Sequence, residues 1–379
     1  MRTQLLVVFF CLSLAAVGDT ATLIVPSEYP NVASALAAVV PGDTISLEPG
    51  QYGGAGFTNL SPELPGALTI LALEGPENVV IDLAGAGFAS VRAASDDSTA
   101  PNLNLENLSF TNGYTALNID TGVTVTARWC TFSDNVMAIG MVGPATNVTL
   151  QSCFLTGNDY SIVALDSAEL VALDCYFNSN YCAVWAYPET SVDIRRCMFF
   201  QHDWTLVFEG ASAEISNSLL LLNFVGIKGS DTLQTPIEVS CSNVFSRFAF
   251  NYASTPDQTG QNGNISLDPM LCDSTLDTSL SVSGISPLIA ENNECGIDIG
   301  RFTVGCCCVG RLGNINYDLQ DNVDIADIQA LIDNLFLSLT PLGCFDEADL
   351  NYDLVIDITD LQILIDNQFL SLLPLGFCP

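Results

Sequence analysis

The chain has 379 residues, 49% of them hydrophobic, which is ample for one large or two unequal cored domains and rules out disorder as the default. Nine Lys+Arg against 43 Asp+Glu give a formal charge of −34, a field that disfavours nucleic acid and anionic lipid surfaces as partners. Such acidity suits calcium, which takes many oxygen ligands, but also suits a solvated surface, so charge alone does not choose. At the start, Arg2, an apolar run over Leu5–Val17 and small residues at Ala16 and Gly18 predict a signal peptide over 1–18, cleaved after Gly18. The run is too short to span a bilayer, so a secreted protein without membrane insertion is expected.

A repeat follows. Leu108, Cys130, Cys153, Cys175, Cys197 and Ser218 are spaced by 22, 23, 22, 22 and 21 residues. Apolar residues stand two positions after each (Phe110, Phe132, Leu155, Phe177, Phe199, Leu220) and three before (Leu105, Ala127, Leu150, Ala172, Ile194, Ile215). Another apolar row lies nine positions after (Leu117, Ile139, Ile162, Val184, Leu206, Ile227). Period-two alternation broken by Asn, Gly, Asp and Ser predicts strands, and each repeat is one coil of a parallel solenoid. Five positions after the cysteine row stand Asn135, Asn158, Asn180 and Asn223, expected as left-handed turn residues that hydrogen-bond along the stack. His202, the only histidine, occupies the same row and reads as a turn substitute instead of a catalytic base. A ladder of cysteines cannot surround an ion, so that row is expected as buried free thiols. Bridges are expected between Cys241 and Cys272, and between Cys295 and one of Cys306, Cys307 or Cys308.

These rows resemble the right-handed parallel β-helix proteins of the pectin-lyase-like kind, with about 22 residues per coil and three faces, over 19–305. The segment Val32–Tyr52 looks like that group's opening, a short capping helix followed by the first strand, and Asp268 to Gly300 looks like its closing coils. The resemblance concerns fold, because the fold hosts lyases, hydrolases, esterases, adhesins and inert scaffolds. Trp129, Ser152, Asp174 and Arg196 on one side of the cysteine row, and Thr131, Phe154, Tyr176 and Met198 on the other, are expected to face outward. A second outward strip holds Trp185, Tyr187, Val207, Glu209 and Lys228. Trp129, Phe154, Tyr176, Trp185 and Tyr187 are therefore candidate sugar-binding residues, unless they are ordinary strand aromatics packed against loops. The resemblance implies, for lyases of this fold, clustered Asp with an Arg or Lys base, of which Asp174 and Arg196 supply a fragment. A glycosidase needs two carboxylates, for which Asp174, Glu209 and Asp203 are available, so Asp174, Arg196 and Glu209 are the candidate catalytic residues. The polygalacturonase motifs are not matched: Gln201-His-Asp203 and Gly226-Ile-Lys228 stand where a Gly-His-Gly and an Arg-Ile-Lys would be sought.

After an expected linker over 306–312, the stretch 313–379 contains two similar copies. In the second, Asp349, Asn351, Asp353, Asp357 and Asp360 fall at loop positions 1, 3, 5, 9 and 12, the spacing that wraps oxygens around calcium, with the Val355 carbonyl at position 7. The following helix carries Leu361, Leu364, Ile365 and Phe369 on one face. In the first copy Asn314, Asn316, Asp318, Asp324 and Asp327 match, with two extra residues between, among which Asp321 is a possible substitute ligand. Leu319 and Leu354 stand where a glycine usually turns the loop, at a cost of about 1 kcal/mol if the backbone is left-handed there. The duplication resembles a type I dockerin, a small α-helical module with paired EF-hand-like loops. That implies bound Ca2+ and docking onto a cohesin-like protein module, with Ile325-Ala326 and Ile358-Thr359 at the partner-reading positions. A bridge between Cys344 and Cys378, which end the two copies, is also expected.

The expected function is a secreted, extracellular or cell-surface-attached protein, monomeric before docking, whose β-helix engages polysaccharide in binding or catabolism. The alternatives are a polysaccharide lyase or O-glycosyl hydrolase, and a non-catalytic adhesin or structural solenoid.

Overall fold

The computed structural model describes residues 20–60, 63–64, 66–93, 101–232, 235–246, 250–272, 280–319 and 322–378. The expected signal segment 1–18 and Asp321 lie outside them.

Three parallel sheets of ten, nine and nine strands wind around one another as a solenoid. The first runs from Thr22–Val25 to Ile237–Ser240, the second from Gly50–Gly53 to Asn243–Phe245, and the third from Glu63–Leu64 to Phe250–Ala253. Each coil contributes one strand to each sheet in register, as in Thr124–Arg128, Thr131–Ser133 and Met137–Val142. The three apolar rows fill the interior and are buried throughout. Phenylalanines stack along the axis, with ring centroids 5.2 Å apart for Phe110 and Phe132 and 4.6 Å for Phe177 and Phe199. Cys130, Cys153, Cys175 and Cys197 are buried and free, as expected.

Corners are made by left-handed residues, but not by the asparagines. Trp129, Ser152, Asp174, Arg196 and Asn217, just before the cysteine row, and Asp134, Gly157, Ser179, Gln201 and Leu222, four positions after it, have φ between 51° and 65°. The asparagine row is next in sequence and serves as a buried hydrogen-bond ladder. The Asn158 Oδ1 accepts from the Asn135 amide and side chain, both at 3.0 Å, while its Nδ2 donates to the Phe132 carbonyl at 3.0 Å. Each side chain thus replaces the backbone partners that a corner forfeits. His202 continues the ladder through Nδ1, which accepts from the Asn180 amide at 3.1 Å, but its buried Nε2 has no hydrogen-bond partner.

The opening differs from expectation in one respect. A strand, Thr22–Val25, precedes helix α1 (Val32–Leu36) and pairs with Thr44–Leu47, so the helix lies between the first two strands. Helix α1 is capped by Asn31 and seats Val32 and Ala35 in the core. At the other end, the described residues of Asp268 to Gly300 do not form the closing coils expected: the three sheets end by Ala253, and the chain returns over the outside of the second sheet. There Leu280, Val282, Leu288 and Ile299 cover Tyr176, Met198, Phe200, Leu219 and Leu221 in a second core.

All the disulfide pairings differ from those expected. Cys241 pairs with Cys295 and Cys272 with Cys306, fixing the returning segment; Cys307 pairs with Cys344 and Cys308 with Cys378. Cys344 and Cys378 are therefore not joined to each other. Each ties the end of one C-terminal copy to the run of three cysteines at 306–308. Nearby cysteines in one oxidised cluster allow many connectivities, and only the path of the chain selects among them.

In the C-terminal part, helices α2 (Ile325–Ile332) and α3 (Ile358–Ile365) pack Ile328, Leu331, Leu361 and Leu364 against Leu312, Ile315, Ala348 and Leu350. Both helices widen into a π turn, Asp333–Leu337 and Asp366–Leu370. Widening rotates the following residues off the helix face. Phe369, expected on the packed face with Leu361 and Leu364, is consequently 60% exposed.

Candidate functional site

Four places bear on function, and they do not coincide. The first is the ridge where the first sheet turns into the second. Arg196 grips Asp174 through Nε and Nη2, each 2.6 Å from a carboxylate oxygen. Arg301, from the returning segment, donates to the Asp174 carbonyl at 3.0 Å. Between them opens a cleft of about 490 Å³ lined by Ser152, Asp174, Arg196, Asp298, Arg301 and Phe302. Trp129 stands two coils further along the same ridge, exposed.

Phe154 and Tyr176, expected to flank this ridge as sugar platforms, do not serve that way. Tyr176 is buried beneath the returning segment and Phe154 packs against the same cluster, their rings 6.1 Å apart. Irregular backbone carries no periodicity, so nothing in the sequence announced the segment that covers them.

The second place is the outer face of the third sheet. The rings of Trp185 and Tyr187 are nearly parallel, with 6° between them and 6.0 Å between centroids. Tyr160 joins them at 5.8 Å from Trp185, and Tyr181 extends the cluster edge-on at 5.8 Å from Tyr160. Trp204 lies in register with Cys182, and Phe224 is exposed nearby. Sequence reasoning missed Tyr160, Tyr181 and Trp204. Strict alternation from Ile162 and Leu206 turns Tyr160 and Trp204 inward. Instead the strands are irregular at buried small residues, Ala138, Ser161, Ala183 and Thr205, which the register skips. A repeated small residue inside a strand of large ones was the available signal.

Glu209 closes one end of this face, 2.8 Å from the Lys228 Nζ. It follows the third-sheet strand Trp204–Phe208, whereas Asp174 and Arg196 sit at the corner between the first and second sheets. The three expected catalytic residues are therefore not one constellation.

The chain has a recognisable middle. Residues 79–227 match the family model for the right handed beta helix region. No curated protein sequence matches the chain. Among solved structures, it is similar to the pectin methylesterase from Aspergillus niger in penultimately deglycosylated form, at 15% identity and a TM-score of 0.42. The same enzyme's deglycosylated form gives 15% and 0.39, each pair covering 67% of this chain and 92% of the other. No residue role is carried over at that likeness.

The third and fourth places are the C-terminal loops. In the second, the Asp349 Oδ1 and Oδ2 accept from the Asp353 and Leu354 amides at 3.1 and 2.9 Å, and Asn351 Oδ1 from the Asp353 amide at 2.9 Å. Asp353 Oδ1 accepts from the Val355 amide at 2.9 Å, and Asp357 caps α3. Asp360 is fully buried, its oxygens taking the Leu350 amide at 2.8 Å and the Asp357 amide at 2.9 Å. The first loop repeats this: Asp327 is fully buried and accepts from the Asn316 and Asp324 amides at 2.9 and 2.7 Å, while Asn314 and Asn316 accept from the Asp318 amide. Burial pushes the Asp327 carboxyl up, against the pull of those amides.

Neither Asp327 nor Asp360 has a cationic side chain within ion-pair distance among the described residues. A buried carboxylate without a counter-charge is costly, and an all-oxygen donor set fits a hard divalent cation. The tightest groups of metal-capable side chains, Cys307 with Cys344 and Asp346, and Cys308 with Glu347 and Cys378, do not compete, because their sulfurs are bridged. Of the two residues at the glycine position, Leu354 is left-handed at φ 66°, whereas Leu319 is not. Leu354 is 79% exposed and packs little, so Leu354→Asn is expected to raise stability by about 0.5–1 kcal/mol, read as a urea midpoint shift.

Proposed function

We propose that this is a secreted polysaccharide-binding solenoid, attached by a calcium-loaded, dockerin-like C-terminal module to a cohesin-like partner. The observation that carries the sugar reading is the contiguous ring surface of Tyr181, Tyr160, Trp185 and Tyr187 on the third sheet. Flat rings present stacking area at little entropic cost, and this patch, with Tyr181 and Tyr187 exposed and Tyr160 and Trp185 half-buried on an otherwise acidic protein, calls for an uncharged partner surface. Binding is favoured over cleavage because Asp174 and Glu209 are each held in an ion pair and sit at different corners. A glycosidase needs two carboxylates flanking one bond.

Docking is supported by the exposure of Ile325 and Ile358 at the starts of the paired helices, with Leu337 and Leu370 exposed beyond their ends. Apolar residues in duplicate on a small module mark a protein-binding surface. Calcium at Asp349, Asn351, Asp353, the Val355 carbonyl, Asp357 and Asp360 would neutralise the buried carboxylate and order the loop that sets α3.

The test is incubation of the full chain with neutral and acidic polysaccharides, scoring retention and chain shortening. Retention without shortening is expected, and Trp185→Ala should weaken retention about tenfold. Chain shortening by the wild type, or retention indifferent to Trp185, would refute the binding surface.

A further inference from the structure

We propose that the cleft between Arg196 and Arg301 binds a single carboxylate carried on an otherwise uncharged sugar chain. This rests on the polysaccharide function proposed above and adds the class of sugar.

The cleft brings together two of the chain's few guanidiniums, balanced in formal charge by Asp174 and Asp298 on the same wall. Only nine Lys+Arg stand against 43 Asp+Glu in the sequence, yet two guanidiniums meet here over one aspartate. Asp174 has both oxygens committed to Arg196. Asp298, the other acid on the wall, accepts from the Ala290 amide at 3.0 Å through Oδ1. Arg301 spends Nη1 on a backbone carbonyl, and no carboxylate lies within ion-pair distance of it among the described residues. A guanidinium has five donors in a planar fork, so most of the Arg301 fork and the Nη1 of Arg196 remain to be satisfied by a ligand or water. A planar oxyanion is what such a fork matches, and a carboxylate is its sugar-borne form.

The ridge fixes how many carboxylates the ligand carries. Successive coils place Trp129, Ser152, Asp174, Arg196 and Asn217 in one left-handed row, about 4.8 Å per step. Away from the arginine pair the ridge offers Ser152 and then the exposed Trp129 ring on one side, and Asn217 on the other, all uncharged. A sugar chain along this row finds a stacking ring about 10 Å from Asp174, and guanidinium donors not taken up by a carboxylate at one place, since the adjacent Arg128 and Arg195 are paired with Glu106 and Asp193. A polymer with a carboxylate on every residue would leave the others facing neutral groups within a field of −34.

The experiment titrates the full chain, in about 0.15 M salt, with three hexasaccharides: a neutral xylo-oligosaccharide, the same chain bearing one glucuronate branch, and oligogalacturonate. The singly branched chain is expected to bind about tenfold more tightly than the neutral one, and the polyacid no more tightly than the neutral one. In Arg301→Gln the tenfold gain should vanish while neutral binding persists. Arg301 also ties the returning segment to the solenoid, so Arg301→Lys, which keeps the charge and loses the fork, serves as a second variant and should retain part of the gain. Equal binding of neutral and singly branched chains, a gain that survives Arg301→Gln, or tightest binding of the polyacid would overturn the carboxylate site and leave polysaccharide binding standing. Failure of all three hexasaccharides to bind would overturn both.

Discussion

Calcium is expected to raise the unfolding temperature of the C-terminal module, and Asp360→Asn to remove that increase. Asp360 is fully buried, yet its oxygens meet only the Leu350 and Asp357 amides. An asparagine loses the charge and keeps a carbonyl acceptor for one of the two amides, whereas Asp360→Ala would strand both. At calcium a hundredfold above its dissociation constant, the stabilisation is about 2.7 kcal/mol by mass action. Calorimetry with calcium and with chelator, on both proteins, reads the difference directly. A wild-type transition indifferent to calcium would remove the metal from the loops, and with it the basis for calcium-dependent docking.

His202→Asn should make the solenoid less sensitive to acid. Complete burial lowers the His202 pKa from 6.5 to about 4, a fall opposed by the Asn180 and Phe177 carbonyls. Between those values the unfolded chain takes up a proton that the native solenoid refuses. Stability contributed by the neutral ring is thus full above pH 6.5, falls as the pH drops towards about 4, and is constant below. The interval corresponds to about 3 kcal/mol. An asparagine removes the titration and supplies an Nδ2 of the kind that Asn158 and Asn180 donate to the Phe132 and Leu155 carbonyls. The variant should match the wild type near neutrality and exceed it by about 3 kcal/mol near pH 4, measured by urea unfolding across that range. Parallel stability curves for the two proteins would refute the assignment of a buried, neutral ring.

The solenoid was legible because coil stacking makes one constraint recur. A residue such as Cys153 is repeated at Cys130 and Cys175 for the same reason, the small space beside the corner, and repetition reveals the rule. The two loops were legible as loops because their short polar side chains recur at set intervals, as at Asp349, Asn351 and Asp353, where they accept from the loop's own backbone amides. What was not legible occurs once. The returning segment that buries Tyr176, the contact of Arg301 with Asp174 across 127 residues, and the disulfide partners all depend on a path without periodicity. The asparagine row shows a subtler limit. Its spacing placed it beside the corner, but the left-handed conformation belongs to the residue before it, because the ladder needs an inward amide and the turn needs only a tolerated φ.

Three consecutive cysteines, Cys306, Cys307 and Cys308, bind the solenoid's closing segment, the end of the first C-terminal copy and the end of the second. A load applied to a docked partner would enter the module at its helices and leave through that one root. The covalent bonds there share the tension, so neither copy can be peeled from its end. Under the proposed function, attachment of this kind suits a tether that must hold a sugar-binding body under shear.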